Sequence, residues 1–142
     1  MKRYDYAIKG GPYGVFITIL GEVKSIEECS EYDQITRCIA IEWKPGMVMK
    51  GERFCDEDKK SIIEAIKRIE FSDSTLQKER KVICIYSLQY SVCDFQQEGL
   101  TVAMMFWCQK YLNANIGIIE ARFDNTAKRY SFYQNDKMIL GL

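Results

Sequence analysis

Histidine is missing from this 142-residue chain altogether. Its absence removes Ser-His and Cys-His nucleophile pairs, imidazole general bases and the commonest metal ligand in one stroke. Surplus charge is missing too: twenty basic residues balance twenty acidic ones, so no global field draws the protein toward nucleic acid or an anionic surface, and either would need a local patch. No run approaches the ~20 apolar residues of a membrane span, and no apolar core of a signal peptide follows Met1-Lys2-Arg3-Tyr4-Asp5. The expectation is a cytosolic chain with no membrane partner. The six cysteines stand at 29, 38, 55, 84, 93 and 108, with no Cys-x-x-Cys pair and none of the close spacing of a zinc site. No metal and no cofactor is expected, and without an export signal the thiols are expected to be free and mostly buried. Proline is scarce, and both copies flank glycine, at Gly11-Pro12 and Pro45-Gly46, where they mark turns.

What is present is a core. Hydrophobic residues make up 47% of the chain and aromatics 13%, enough for one packed domain over residues 1–142 without disulfide or metal support. The richest stretch runs from Lys81 to Asp124 and reads as strand, helix, strand. Val82, Cys84, Tyr86, Leu88, Tyr90 and Val92 alternate with Ile83, Ile85, Ser87, Gln89 and Ser91, which predicts a strand with the first set buried and the second covered only at its beginning. Asp94, with Gln97 three residues on, predicts a capped helix start. Leu100, Ala103, Met104, Trp107, Cys108 and Tyr111 then mark one buried helical face. Met105 and Phe106 fall off that face, and either pack under a second layer or form an exposed apolar patch. Asn113 to Asn115 closes the helix, and Ile116 to Phe123 returns as a strand.

In chain order, Tyr4 to Ile8 predicts a short strand, Gly10-Gly11-Pro12 a turn, and Val15 to Leu20 a strand ended by Gly21. Glu22 to Gln34 reads as a loop or hairpin arm, Thr36 to Trp43 as a third strand, and Lys44 to Phe54, broken by Pro45, Gly46 and Gly51, as a mobile loop. Asp56-Glu57-Asp58 opens a helix with a stripe of Ile62, Ala65, Ile66 and Ile69, and Glu64 with Arg68 makes an i,i+4 pair on its outer side. Ser72 to Glu79 is a polar connection, and Ala127 to Tyr133 is the last strand. The order βββαβαββ predicts an α+β fold, a two-layer sandwich of a mixed β-sheet with two helices on one face.

Few segments carry candidate chemistry. Gly10 to Gly14 lacks the Gly-Lys-Ser/Thr of a P-loop and a following helix, so it reads as a tight turn. Asp56 to Asp58 reads as helix capping rather than a Mg²⁺ site. Lys128, Arg129 and Tyr130, followed by Phe132 and Tyr133, form a basic and aromatic strip of the kind that stacks single-stranded RNA, although on a terminal strand the aromatics point inward more often. No pair of carboxylates or tyrosines has a defensible acid-base spacing, so the chain is expected not to be an enzyme.

Tyr13-Gly14-Val15-Phe16-Ile17-Thr18-Ile19 opening a strand, an Ile-rich helix ending in Ala65-Ile66, and Val82 to Tyr90 leading through Asp94 into a helix rich in Ala and Met together resemble domain IV of elongation factor G, over about two thirds of the chain. The resemblance implies a ribosomal-protein-S5-like α+β fold and a ribosome-associated role. Where that family has Val-Asp-Ser-Ser before its second helix, this chain has Val92-Cys93-Asp94-Phe95; the family's histidine and its GTPase domain are absent.

Two functions follow as expectations. The first is a non-enzymatic protein-binding domain, immunity- or antitoxin-like, that holds another protein through Met105 and Phe106 and the loop residues Lys44, Met47 and Met49. The alternative, implied by the resemblance, is an RNA- or ribosome-associated module using Lys128, Arg129 and Tyr130, against which the zero net charge counts.

Overall fold

Period-2 alternation places Val15, Ile17 and Ile19 on one face of a strand and Ile39 and Ile41 on the same face of another. These five, with Ile83 and Ile85, form the sheet side of the core. The computed structural model describes residues 1–9, 14–71 and 80–141. The turn expected at Gly10-Gly11-Pro12 and the polar connection from Ser72 to Glu79 lie outside the described residues. Strands β1 (Lys2–Ile8), β2 (Val15–Ser25), β3 (Asp33–Gln34), β4 (Ile39–Trp43) and β6 (Lys81–Tyr90) form a sheet in the order β1-β2-β6-β4-β3. The sheet is mixed because β4 and β6 are parallel, and the other neighbours are antiparallel. Helix α1 (Asp56–Arg68) lies in the crossover that such a parallel pair requires.

Helix α2 (Gln97–Leu112) packs against α1 and against β1 and β2, and both helices bury their apolar residues in the same core as the sheet. The α+β class, with a mixed sheet and two helices sharing one of its faces, is as the sequence predicts. A second, antiparallel sheet, β8 (Ile119–Asp124), β9 (Arg129–Gln134) and β10 (Lys137–Leu140), in the order β10-β9-β8, closes the N-terminal end of α2. There Gln96 acts as a piece of strand: its Nε2 donates to the Tyr130 carbonyl at 2.7 Å and its Oε1 accepts from the Tyr130 N–H at 2.8 Å. The two-residue strands β5 (Glu70–Phe71) and β7 (Ala114–Asn115) pair with each other.

The differences from expectation have local causes. Tyr86 is an extra residue in the β2–β6 pairing, where Leu20 opposes Ser87 and Gly21 opposes Ile85. This bulge exchanges the faces of β6. Ile83 and Ile85 therefore face the helices before it and Leu88 after it, while Val82, Cys84 and Tyr86 are buried on the outer face rather than in the helical core. Val92 is not part of the strand: it stands 86% exposed in a short 3-10 turn, Val92–Asp94. That turn also takes Asp94 away from the helix, which begins at Gln97 with no side-chain cap. Gly21 does not end β2, which runs on to Ser25, and beyond the last expected strand the chain adds β10, which holds the apolar Met138-Ile139-Leu140. Its hairpin turns through Asn135 and Asp136, both at positive φ, the backbone that matches strand twist. Helix α2 ends as expected, at a left-handed Asn113, and Arg68 meets Glu64 at 2.6 Å on α1.

Candidate functional site

The segment between β4 and α1 holds no strand or helix, and its sequence explains the path. Gly46 and Gly51 sit at φ of 87° and 84°, in the left-handed region that favours glycine, with open space beside both. Around Gly51, Glu52 N–H closes a turn on the Met49 carbonyl at 3.1 Å. The base of the loop is fixed at two points. Phe54 packs edge-on against Trp43, with ring centroids 5.9 Å apart. Glu52 Oε2 accepts from Ser87 Oγ and from Leu88 N–H, both at 3.1 Å, on the part of β6 that β4 no longer covers because β4 ends opposite Ile85.

A loop fixed at its base holds out three apolar side chains. Met47 is 67% exposed, Val48 40% and Met49 50%. Phe16, the outward residue between Val15 and Ile17 of β2, is 45% exposed, and it faces Met49 across the end of β6. Phe16, Thr18 and Met49, with Leu88 to Ser91 below them, line a groove of about 430 Å³. Lys44, Lys50 and Arg53 are all exposed around the loop. Of the loop residues singled out from sequence, Lys44, Met47 and Met49, all three are exposed, but Met49 alone lines this groove, and Lys44 lines a separate cleft with Glu31 and Asp33. Phe16 was missed, although its place in the strand alternation marks it as outward.

Met105 and Phe106 belong elsewhere. Met105 is fully buried. Phe106 stacks on Tyr4 and Tyr6 with centroids 5.9 and 5.6 Å away. Strand β1 is therefore the second layer over α2, and this pair forms no exposed patch. Helix α2 buries nearly its whole circumference, because the sheet, β1 and α1 cover it on different sides.

The basic and aromatic strip also comes apart. Tyr130 is 4% exposed and packs edge-on against Phe123 at 5.2 Å, so no base can stack on it. Arg129 is ion-paired with Glu98. Lys128 alone of the three is exposed, at a positive φ in the turn before β9.

Sequence gave no sign of a polar cluster on the outer face of the sheet. Cys84 Sγ donates to Glu42 Oε1 at 3.3 Å, Lys24 Nζ lies 3.7 Å from the same oxygen, and Tyr86 OH donates to Glu22 Oε2 at 2.8 Å. Glu42 and Cys84 are both buried. Burial pushes the Cys84 thiol up to about 11 and the Tyr86 hydroxyl up to about 12. A hydrogen bond with Tyr86 raises the Lys24 ammonium. Near neutral pH this is a protonated thiol and a protonated phenol held against carboxylates, so neither is an activated nucleophile. Among the described residues no group of three or more Cys, Asp or Glu side chains is arranged to hold a metal ion, and no helix is long and apolar enough to cross a membrane. Comparison with protein-family models and with curated proteins finds no match.

Proposed function

We propose that this chain is a protein-binding module whose contact surface is the loop from Lys44 to Arg53 together with Phe16. The observation that carries the reading is the exposure of Met47, Val48 and Met49 on a loop whose base is fixed. Single exposed apolar residues are ordinary, but three in succession, the last of them sharing a groove with exposed Phe16, form a patch of the kind that contact sites use. Methionine suits such a surface, because its unbranched, polarizable side chain adapts to a partner's shape. The buried cluster around Glu42 supports binding over catalysis, since its thiol and phenol stay protonated and are engaged with Glu42 and Glu22.

The test is capture of partners from the source cells by the intact protein and by Met49→Asp and Phe16→Asp variants, both at exposed positions. The expected result is a protein whose capture survives high salt and is lost in both variants while their circular dichroism is unchanged, because apolar contacts are little screened. Salt-sensitive RNA binding that disappears when Lys128 and Arg129 are replaced would overturn the reading.

A further inference from the structure

Resting on the protein-binding reading, we infer that the partner docks as an extended polypeptide segment, which adds a strand to the open edge of β6 beyond Ile85. Strand β4 ends there. Lys44 N–H donates to the Ile85 carbonyl at 2.9 Å, and among the described residues no strand lies on that side of β6 from Tyr86 to Tyr90. On the other side β2 stays paired as far as Tyr90. Leu88 stands opposite Ile19 of β2, yet its N–H points away from β2, to Glu52. Main-chain groups alternate in direction along a strand, so the Leu88 carbonyl and the Tyr90 N–H point to the same open side. Among the described residues neither has a partner there.

Glu52 takes the place of a strand only in part. Its Oε2 accepts from Leu88 N–H and Ser87 Oγ, while its Oε1 is buried with no partner, which is a costly state for a carboxylate oxygen. A main-chain carbonyl set on Leu88 N–H would replace that contact by a neutral acceptor and release Glu52 to water. The loop has room to yield, because open space surrounds Gly46 and Gly51 on either side of its tip.

These groups name the chemistry of the occupant. Donor, acceptor and donor at strand spacing match a polypeptide backbone, and neither a lipid surface nor a stacked base offers their complement. Neighbours across a sheet share a face, so the added residue beside Gln89 turns its side chain toward the side that Gln89 and Thr18 occupy. There it meets the groove of about 430 Å³ between Phe16 and Met49. Main-chain pairing supplies the affinity, and the groove selects the side chain.

The experiment selects random short peptides displayed on phage against the full chain and titrates the enriched peptides by fluorescence polarisation. Each peptide is then resynthesised with an N-methyl group at each backbone position in turn, and amide exchange of the protein is followed by NMR. Binding should be lost in Met49→Asp and should fall about tenfold or more on methylation at alternate positions, the period of a paired strand. The Tyr90 amide, which no described residue holds, should exchange more slowly in the complex. Peptides that need Met49 but tolerate methylation throughout, or that leave Tyr90 exchange unchanged, would overturn this inference and leave the protein-binding reading standing. Selection that enriches no peptide would overturn it too, since an open strand edge requires no folded partner. Peptides indifferent to Met49→Asp that also leave Tyr90 unprotected would overturn both.

Discussion

Gly21 and Trp107 touch across the interface between sheet and helix: a Cβ on Gly21 would stand 3.1 Å from the Trp107 ring and 2.7 Å from the Cys84 carbonyl oxygen. Glycine at this position in β2 lets the largest fully buried side chain lie flat on the strand beside the bulge.

Gly21→Ala should therefore destabilise the protein by about 1–3 kcal/mol, because the added methyl meets backbone that cannot turn aside. Trp107→Ala should cost about 3–5 kcal/mol, from its lost burial and the cavity left behind. Urea melts measure both. A Gly21→Ala protein as stable as its parent would mean that β2 moves away from α2 at little cost.

Tyr90→Phe should cost about 1–3 kcal/mol. Tyr90 OH donates to the buried Asp58 at 2.7 Å, and Gln97 Nε2 reaches the other oxygen of that carboxylate at 3.1 Å, tying α1, α2 and the end of β6 together. Removal of the hydroxyl leaves one oxygen without its donor. The loss should shrink in an Asp58→Asn background, where a full charge is no longer buried, and equal losses in both backgrounds would break the link.

Burial raises the Cys84 thiol from its ordinary 9.0 to about 11 and raises the fully buried Cys108 thiol as well. Both folded-state values lie above the unfolded ones, so their contribution to stability is complete below about 9 and is lost as pH rises toward 11 and beyond. Stability from urea melts should fall over that window. Cys84→Ala and Cys108→Ala should each lower the starting stability yet flatten the fall. Near neutral pH, iodoacetamide should label the exposed Cys55 and Cys93 well before Cys84 and Cys108. Equal labelling of all four in the folded protein would contradict the placement.

Asp at Met47 or Met49 should change stability by no more than about 0.5 kcal/mol, as exposed substitutions do. Asp at Met105 should prevent folding, since it places a carboxylate with no partner inside a close-packed helix interface. Thermal melts of the three variants separate the outcomes, and a folded Met105→Asp protein would put that side chain back at the surface.

The amino-acid order determined the elements whose signals are local. The stripe of Ile62, Ala65 and Ile66 fixed the buried side of α1, the run from Leu100 to Cys108 fixed α2, and Pro45, Gly46 and Gly51 fixed an irregular loop, because each depends on backbone preferences and periods within a few residues. Tertiary structure decided the rest. Whether Phe106 is covered depends on β1 arriving about a hundred residues away in the chain, and whether Tyr130 is free to stack depends on Phe123 and Gln96. The face that β6 turns to the helices changes at Tyr86 only because β2 pairs there out of step. The meeting of Phe16 with Met49 requires β6 to lie between their two segments. A period reports which residues share a side of their own element. What covers that side is set by pairings between distant segments, and only the folded chain brings those together.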